Sequence, residues 1–170
     1  LRSRVIRSYR IIPHGGSAQD YETWALECPG VTRAWCRGSY PGPGIVSLYI
    51  MRDDDVQPVP NPEQLAEVQA YIEPLRPVTA ELRVLPPVQV PVTYRLSLKP
   101  DTTAVRAAVE AQLRDLHNRE GGLGDTLLVS HIREAISSAT GESDHDLKSP
   151  VADVEAQSNQ LLTYGGCVWQ

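Results

Sequence analysis

The chain has 170 residues, of which 41% are hydrophobic and 22% are charged, and its formal net charge is −5 at pH 7. This composition is typical of a globular chain with a buried core and excludes collagen-like and disordered classes. The acidic balance argues against a nucleic-acid groove, because such a groove needs a basic face that displaces counterions from phosphate. No apolar run approaches the ~20 residues that cross a bilayer.

The N-terminal stretch LRSRVIRSYR carries four arginines at helical intervals around apolar residues. This spacing predicts an amphipathic helix with a basic face exposed to solvent. The chain begins with Leu, its only methionine is Met51, and it lacks a signal-peptide pattern, so we expect the later part of a longer protein. An odd number of cysteines without C-x-x-C spacing favours reduced thiols in a cytosolic product: Cys28, Cys36 and Cys167.

A helix followed by a hairpin is predicted next. Ser17 and Asp20 form a capping box at the start of the helix, and Pro29-Gly30 ends it. Residues 31–36 and 44–51 are rich in β-formers and are separated by the turn-dense stretch RGSYPGPG. This arrangement predicts two strands joined by a loop longer than a two-residue turn.

A second helix and a third strand complete the first half of the chain. Asn61 and Gln64 form another capping box, with Pro62 at the first helical position. Two further prolines end this helix, and β character resumes at residues 80–85. The order is therefore helix, strand, strand, helix, strand.

The double proline Pro86-Pro87 is the predicted domain boundary. It stiffens a short connection, and neither proline has a backbone N–H that could donate a hydrogen bond to a neighbouring strand. From Val88 to Leu98 apolar and polar residues alternate, which predicts a half-buried strand in an antiparallel or mixed sheet. Pro91 within this strand predicts that it lies near an edge or has one side unpaired.

Two helices and a return to β structure are predicted after this strand. Asp101 is the expected cap of a long helix with a continuous apolar stripe, and Ser130 is the expected cap of a shorter one. Gly141 suits the left-handed position after the shorter helix. The remaining predicted strands are residues 144–148, 151–155 and 162–169, the last with Trp169 folded back as a core anchor.

These elements predict an α+β fold of two small consecutive α/β-sandwich modules, residues 1–86 and 87–170. We expect mixed or antiparallel sheets in both modules, with helices packed on one face of each sheet. The first module includes the basic N-terminal helix. Trp24 and Trp35 are expected to anchor the capped helix to the hairpin.

Histidine and aspartate clusters do not predict a metal site. The four histidines lie in separate elements without another ligand at zinc spacing: His14, His117, His131 and His145. Asp53-Asp54-Asp55 lacks the alternating ligands, central glycine and closing glutamate of a calcium loop, so a solvated strand exit is the better interpretation.

Nucleophile and phosphate motifs are also incomplete. Cys28 lies on the apolar face of its helix, which favours core packing over nucleophilic catalysis. The stretch EGGLGDT has no following Lys-Ser or Lys-Thr and follows a helix instead of a strand, so it fails as a phosphate cradle. We therefore expect no catalytic, cofactor-binding or metal-binding residue.

An ordered series of stretches resembles the baseplate J-like family: LRSRVIRSYR, PHGGSAQDYETWAL, PGVTRAW, GPGIVSLYIMRDDD, VQAYIEPLRPVTAELRV, VPVTYRLSLKPDTTAVRAAVEAQL and LLVSHIREAISSATGESDHDL. The resemblance covers essentially the whole chain as the C-terminal portion of a family member. It implies a structural protein of a contractile-tail baseplate, located in the virion tail and assembled in the bacterial host cytoplasm. No cofactor and no catalytic residue is implied.

The resemblance further implies partners and a mechanical role. Expected partners are copies of the chain itself, other wedge proteins, and hub or sheath proteins, with no nucleic acid and no membrane. We expect participation in the rearrangement that triggers sheath contraction. Tyr40 and Leu123 are the side chains predicted to contact partners, and the alternative is that both fold over their own cores.

Two other classes of protein stay open on the sequence alone. A small cytosolic hydrolase using Cys28 or the aspartate triplet would need polar groups that converge in a pocket. A freestanding ligand-binding or regulatory α+β domain would behave as a complete monomer.

Overall fold

A computed structural model describes residues 16–170, which divide into two compact units that meet in sequence between Pro87 and Val88. The helix predicted for the N-terminal stretch and His14 lie outside the described residues. Each unit has its own hydrophobic core and is described separately below. No helix among residues 16–170 has the length and apolar character required to span a bilayer.

The first unit contains two helices and a three-stranded mixed sheet. Its elements are α1 (Ala18–Glu27), β1 (Arg33–Gly38), β2 (Ile45–Met51), α2 (Pro62–Ile72) and β3 (Glu81–Leu85). The strand order is β1-β2-β3, with β1 antiparallel and β3 parallel to the central β2. The helix between β2 and β3 supplies the crossover that a parallel pair requires.

Both predicted capping boxes are confirmed. The Ser17 hydroxyl accepts a hydrogen bond from the Asp20 amide, and the Asp20 carboxylate accepts bonds from the Gly16 and Ser17 amides. Asn61 and Gln64 make the equivalent reciprocal pair at α2. The unpaired amides at both helix starts are therefore satisfied by adjacent side chains.

The core of the first unit lies between the sheet and its two helices. It contains Tyr21, Ala25, Cys28, Val31, Cys36, Leu48, Ile50, Val68, Ile72, Leu82 and Val84. Trp24 is half-buried against this core and meets the Tyr21 ring edge-on at 5.2 Å. Trp35 is half-buried as well, and the guanidinium of Arg33 lies 5.2 Å from its ring centre.

The second unit is built around the strand β4 (Val88–Lys99). The elements that follow are α3 (Thr103–Glu120), β5 (Thr126–Leu127), α4 (Val129–Ser137), β6 (Asp144–Ser149), β7 (Val154–Glu155) and β8 (Gln160–Trp169). The main sheet has the order β6-β4-β8, antiparallel to β6 and parallel to β8, and β5 and β7 form a separate antiparallel pair.

The predicted alternation along β4 is confirmed in its central part, where Val92, Tyr94, Leu96 and Leu98 are buried and the intervening residues are more exposed. Val88, which the pattern assigns to the same face, is 49% exposed. Although β4 is the central strand, Pro91 lies where only β8 pairs with it, because the pairing with β6 begins at Arg95. The missing proline donor therefore breaks no bond to β6.

A β-bulge interrupts β8 at the two glycines Gly165 and Gly166. Val92 and Tyr94 of β4 pair with Tyr164 and Cys167, so β8 carries one residue more than β4 over this interval. Gly166 has φ +104°, a conformation that glycine adopts without strain. The bulge keeps Tyr164 and Cys167 packed against the core of the second unit.

The predicted caps of α3 and α4 are both wrong. The N-cap of α3 is Thr102, whose hydroxyl accepts from the Val105 amide, while Asp101 is paired with Arg106. The helix α4 begins one residue before Ser130, with no side-chain bond from its own N-cap residue. The carboxylate of Asp153 accepts a hydrogen bond from the first amide of α4 at 2.8 Å.

The fold is α+β, as predicted, with two mixed sheets and helices packed against them. Gly141 has φ +88°, which confirms its left-handed conformation after α4. Trp169 packs against the core of the second unit, which confirms it as an anchor. The strand predicted at residues 151–155 is paired only at Val154–Glu155. The module limits 1–86 and 87–170 stay a prediction.

Candidate functional site: buried polar groups and exposed edges

The aspartate triplet forms ion pairs that tie the exit of β2 to the rest of the first unit. The Asp53 carboxylate accepts hydrogen bonds from Nη2 and Nε of Arg33, at 2.7 and 2.8 Å, and from the Thr32 hydroxyl at 2.6 Å. Burial alone would raise the pKa of Asp53, but these bonds outweigh it and lower the pKa. The solvated exit predicted from the sequence is thus an ion-paired one.

A second clamp holds the same loop through Arg52. Its guanidinium donates to Asp55 at 2.5 Å and to the Pro29 carbonyl at 2.9 Å. Asp55 also accepts from Gln64 in α2, and the bond from Arg52 lowers the pKa of this carboxyl. The carboxylates of Asp53 and Asp55 are paired with arginines, so they are not available as ligands for a divalent ion.

All three thiols are free, and none has the low pKa of a nucleophile. Cys28 and Cys36 are buried in the core of the first unit, which confirms core packing for Cys28. Burial raises the pKa of Cys28, and burial together with the nearby Glu22 carboxylate raises that of Cys36 to about 12. Burial also raises the pKa of Cys167. With raised pKa values, these thiols are protonated at neutral pH.

His117 lies in the core of the second unit and is hydrogen-bonded at both ring nitrogens. Its Nε2 lies 2.7 Å from the Tyr94 hydroxyl, and its Nδ1 lies 3.2 Å from the Leu162 carbonyl oxygen. A carbonyl only accepts, so the proton is on Nδ1, and Nε2 accepts from the tyrosine. Burial lowers the pKa of His117, so this histidine is neutral and structural.

The other described histidines pair with carboxylates, His131 with a side chain that is 40% exposed and His145 with a side chain that is 13% exposed. His131 in α4 bonds to Glu120 at 2.7 Å, and this bond raises the pKa of His131. His145 bonds to Glu142 at 2.9 Å. Among residues 16–170, no three His, Cys, Asp or Glu side chains come together in a way that could hold a metal ion.

The glycine loop EGGLGDT uses its backbone amides internally. The amides of Gly121, Gly122, Gly124 and Asp125 all donate to protein carbonyls at 2.8 to 3.3 Å. Leu123 is 1% exposed and pairs with Leu161 of β8, so its predicted role as an exposed partner contact is wrong. The loop is held to β8 by the bond from the Gly124 amide to the Gln160 carbonyl, and Leu123 beside it is buried.

Tyr40 is 40% exposed, as a partner contact requires, and its carbonyl accepts a hydrogen bond from Ser47 of β2. The partner contact of Tyr40 stays a prediction. Large apolar side chains are also exposed at other places in both units: Val56, Tyr71, Leu75, Val78, Val88, Leu128, Val151 and Val168.

Two open grooves are lined mainly by polar side chains. One, of about 370 Å³, lies between α3 and α4 and is bordered by the paired residues Glu120 and His131. The other, of about 440 Å³, follows the outer edge of β3 beside α2, where all five strand residues line it. Neither groove has the converging nucleophile, base and oxyanion donors that a hydrolase requires.

Comparison with known proteins gives matches over nearly the whole chain. Residues 13–86 match the family model of the baseplate J-like central domain, and residues 90–170 match that of the baseplate J-like protein C-terminal domain. The sequence is 39% identical over 169 residues to the putative protein JayE of Escherichia coli K12, covering 99% of this chain and 64% of that protein.

Two further relatives carry the name gp47. The Mu-like prophage FluMu protein gp47 of Haemophilus influenzae is 35% identical, and the baseplate protein gp47 of Escherichia phage Mu is 29% identical. Each match covers 99% of this chain and 50% of the relative. The chain therefore spans about half to two thirds of the length of the curated relatives it matches.

A solved structure shares the fold. The chain superposes with a TM-score of 0.61 and 14% identity on a chain of the anti-feeding prophage baseplate, seen by cryo-electron microscopy with six-fold symmetrisation. The match covers 95% of this chain and 39% of the other. With both family models matched in order along the sequence, the chain belongs to the baseplate J-like family.

Proposed function

We propose that the chain is a structural part of a phage-type tail baseplate and not an enzyme. The observation that carries the proposal is the ordered match of both baseplate J-like models, which together take in nearly all of the sequence. The relative from phage Mu is named a baseplate protein, and the solved structure with the same fold comes from a prophage baseplate.

The chemistry of the described residues supports a structural role. The thiols have raised pKa values, two of the three clustered aspartates are held by arginines, and the buried histidine is neutral. Such groups stabilise a scaffold and do not activate a water molecule or a nucleophile. In such a role the chain functions through contacts between its surface and other proteins.

The finer role that we propose is that of a wedge component around the baseplate hub. In this role the chain contacts copies of itself and other wedge proteins, with hub or sheath proteins as further partners, and takes part in the trigger of sheath contraction. It resides in the tail of the particle after assembly in the host cytoplasm. We further propose that residues 1–86 and 87–170 fold as separate modules.

The test is deletion of the gene from a particle-producing strain, followed by electron microscopy of the tails. We expect tails without a complete baseplate, and restoration by the wild-type gene. Cys28→Ser and Asp54→Asn are matched controls, because a hydrolase that uses the thiol or the aspartate triplet would lose activity in one of them. Complete baseplates in the deletion strain, or failure of either control to restore assembly, would contradict the proposal.

The proposed role in the trigger of sheath contraction is tested separately, by measuring the rate of contraction. Tails that assemble normally but contract at a changed rate when a Tyr40→Ala chain replaces the wild type would support it. Assembly and contraction that match the wild type would remove Tyr40 from the proposed partner contacts.

A further inference from the structure

Among residues 16–170, no strand pairs with the outer edge of β3. In its parallel pairing with β2, the Glu81 amide donates to the Gly44 carbonyl at 2.8 Å, so Glu81, Arg83 and Leu85 direct their backbone groups towards β2. The intervening residues Leu82 and Val84 therefore direct theirs outwards, into the groove of about 440 Å³ beside α2. At this edge the side-chain amide of Gln69 donates to the Leu82 carbonyl over a long 3.4 Å.

Other outer strands of the two three-stranded sheets are protected within the part of the chain that the structure describes. The Cys36 amide of β1 donates to the Glu22 carboxylate of α1 at 3.0 Å. On β8, the Gln160 carbonyl accepts from Gly124, and a bulge follows at the two glycines. The short β6 carries exposed Asp144, Asp146 and Lys148. Covering groups, bulges and charges that meet like charges all oppose edge pairing. On β3 the covering contact from Gln69 is long, the pairing with β2 has no bulge, and the two charges are opposite in sign.

The charges on β3 are self-complementary in an antiparallel pair. Glu81 and Arg83 form an ion pair at 2.8 Å on the sheet face opposite Leu82 and Val84, with side chains 61% and 46% exposed. A two-fold axis through Leu82 places Leu82 opposite Leu82 of a second copy, where the two residues exchange both main-chain hydrogen bonds. Glu81 then lies opposite Arg83 of the second copy, and Arg83 opposite its Glu81.

Competing registers of the same edge are less favourable. An axis through Arg83 or Glu81 places like charges directly opposite each other. An axis through Val84 places Leu82 opposite Pro86, which has no N–H to donate. Parallel addition in register also places Glu81 beside Glu81. The order of residues along β3 thus selects one arrangement.

From this geometry we propose that the β3 edge binds the β3 edge of a second copy of this chain, antiparallel and centred on Leu82. The two three-stranded sheets become one six-stranded sheet, and the four charges of the two β3 strands alternate in sign across the new pair. The inference deepens the proposed self-association by naming its surface. The pairing is isologous, so each substitution acts twice in the dimer.

Charge exchange tests the register. Sedimentation velocity of the 170-residue chain is expected to show a concentration-dependent dimer, which Glu81→Arg or Arg83→Glu alone weakens at least about tenfold because each variant opposes like charges. The double variant Glu81→Arg with Arg83→Glu is expected to recover dimerisation. An equimolar mixture of the two single variants is expected to form a mixed dimer, because one strand is then wholly basic and the other wholly acidic.

The matched control is the exposed pair of Lys99 and Asp144 on the second sheet, at 3.0 Å. Lys99→Asp and Asp144→Lys carry charge changes of the same size and are expected to leave dimerisation as in the wild type. Equal thermal melting of all variants checks that each is folded. A wild-type chain that stays monomeric to about 1 mM, or a double variant that stays monomeric, overturns the proposal.

These outcomes are separable from failure of the proposed function. A monomeric wild-type chain rejects the strand pairing even if deletion of the gene removes the baseplate. A dimer that responds to the charge exchanges supports the pairing even if tails assemble without the chain.

Discussion

The Tyr94 hydroxyl donates a hydrogen bond of 2.7 Å to Nε2 of His117 inside the core of the second unit. The pair joins the central strand β4 to the helix α3, and the other ring nitrogen of His117 joins that helix to β8. One imidazole thus links the central strand, the long helix and the last strand of the second unit. Its neutral state is a condition of that linkage, because a protonated Nε2 no longer accepts from tyrosine.

The pH dependence of stability follows from the lowered pKa of His117. The unfolded chain binds this proton near the ordinary histidine pKa of about 6.5, and the folded chain binds it only at lower pH. The contribution of His117 is therefore fully present above pH ~6.5 and is lost as the pH falls below it. NMR titration is expected to give a His117 midpoint below that of an unfolded peptide.

His131 is the internal control for this titration. Its bond to Glu120 raises its pKa, so its midpoint is expected on the opposite side of the ordinary value. Its stabilising effect is present at low pH and is lost as the pH rises through the raised pKa. A His117 midpoint at or above that of His131 would contradict the buried neutral assignment.

Tyr94→Phe is expected to lower the free energy of unfolding by about 1 to 3 kcal/mol. The substitution keeps the ring but leaves the buried Nε2 of His117 without a donor. Tyr164→Phe is the matched control, because the Tyr164 hydroxyl has only a 3.4 Å contact with the Cys167 sulfur at a half-buried position. Urea unfolding of the two variants measures the difference, and an equal loss in both would reject the role of the Tyr94 bond.

Gly30→Ala is expected to destabilise the first unit by about 1 to 3 kcal/mol. Gly30 has φ +83°, and a Cβ atom at this position would lie 2.1 Å from Nη2 of Arg52, which would displace the clamp to Pro29 and Asp55. Gly38→Ala is the control, because no heavy atom lies within 4 Å of its Cβ position. Thermal melting that is unchanged in both variants would show that the clamp is not needed.

Trp24→Ala is expected to cost about 2 kcal/mol, below the ~3 to 5 kcal/mol of a fully buried tryptophan. The side chain is half-buried, packs against the first core and meets Tyr21 edge-on. Chemical denaturation measures the loss. A free energy of unfolding equal to that of the wild type would mean that Trp24 does not anchor α1.

Local features of the fold were predictable because they depend on residues that are near each other in sequence. The capping boxes at Ser17 and Asn61 need partners only three residues away, and the apolar alternation of β4 needs only the pleat of one strand. The prediction of Asp101 as the cap of α3 was wrong even though the true cap is the next residue. Both residues are capping types, and the ion pair of Asp101 with Arg106 leaves the role to Thr102.

Features that join distant residues were not predictable in the same way. Asp153 caps α4 from 24 positions away, and Leu123 is buried because its loop pairs with β8. The histidine pattern gave no sign that His117 bonds to Tyr94, since the signal is a contact between a strand and a helix. The pair Gly165-Gly166 was a visible signal of the bulge in β8, because adjacent glycines within a strand pattern mark such sites.

The sequence by itself determined the α+β class and the starts of α1 and α2, because these depend on periodicity and short-range hydrogen bonds. It also carried the ordered stretches that resemble the baseplate J-like family. Only the tertiary structure decided the strand order, the burial of Leu123 and the open edge at β3. Those properties depend on which distant segments pair, and a single residue pattern is compatible with several pairings of similar free energy.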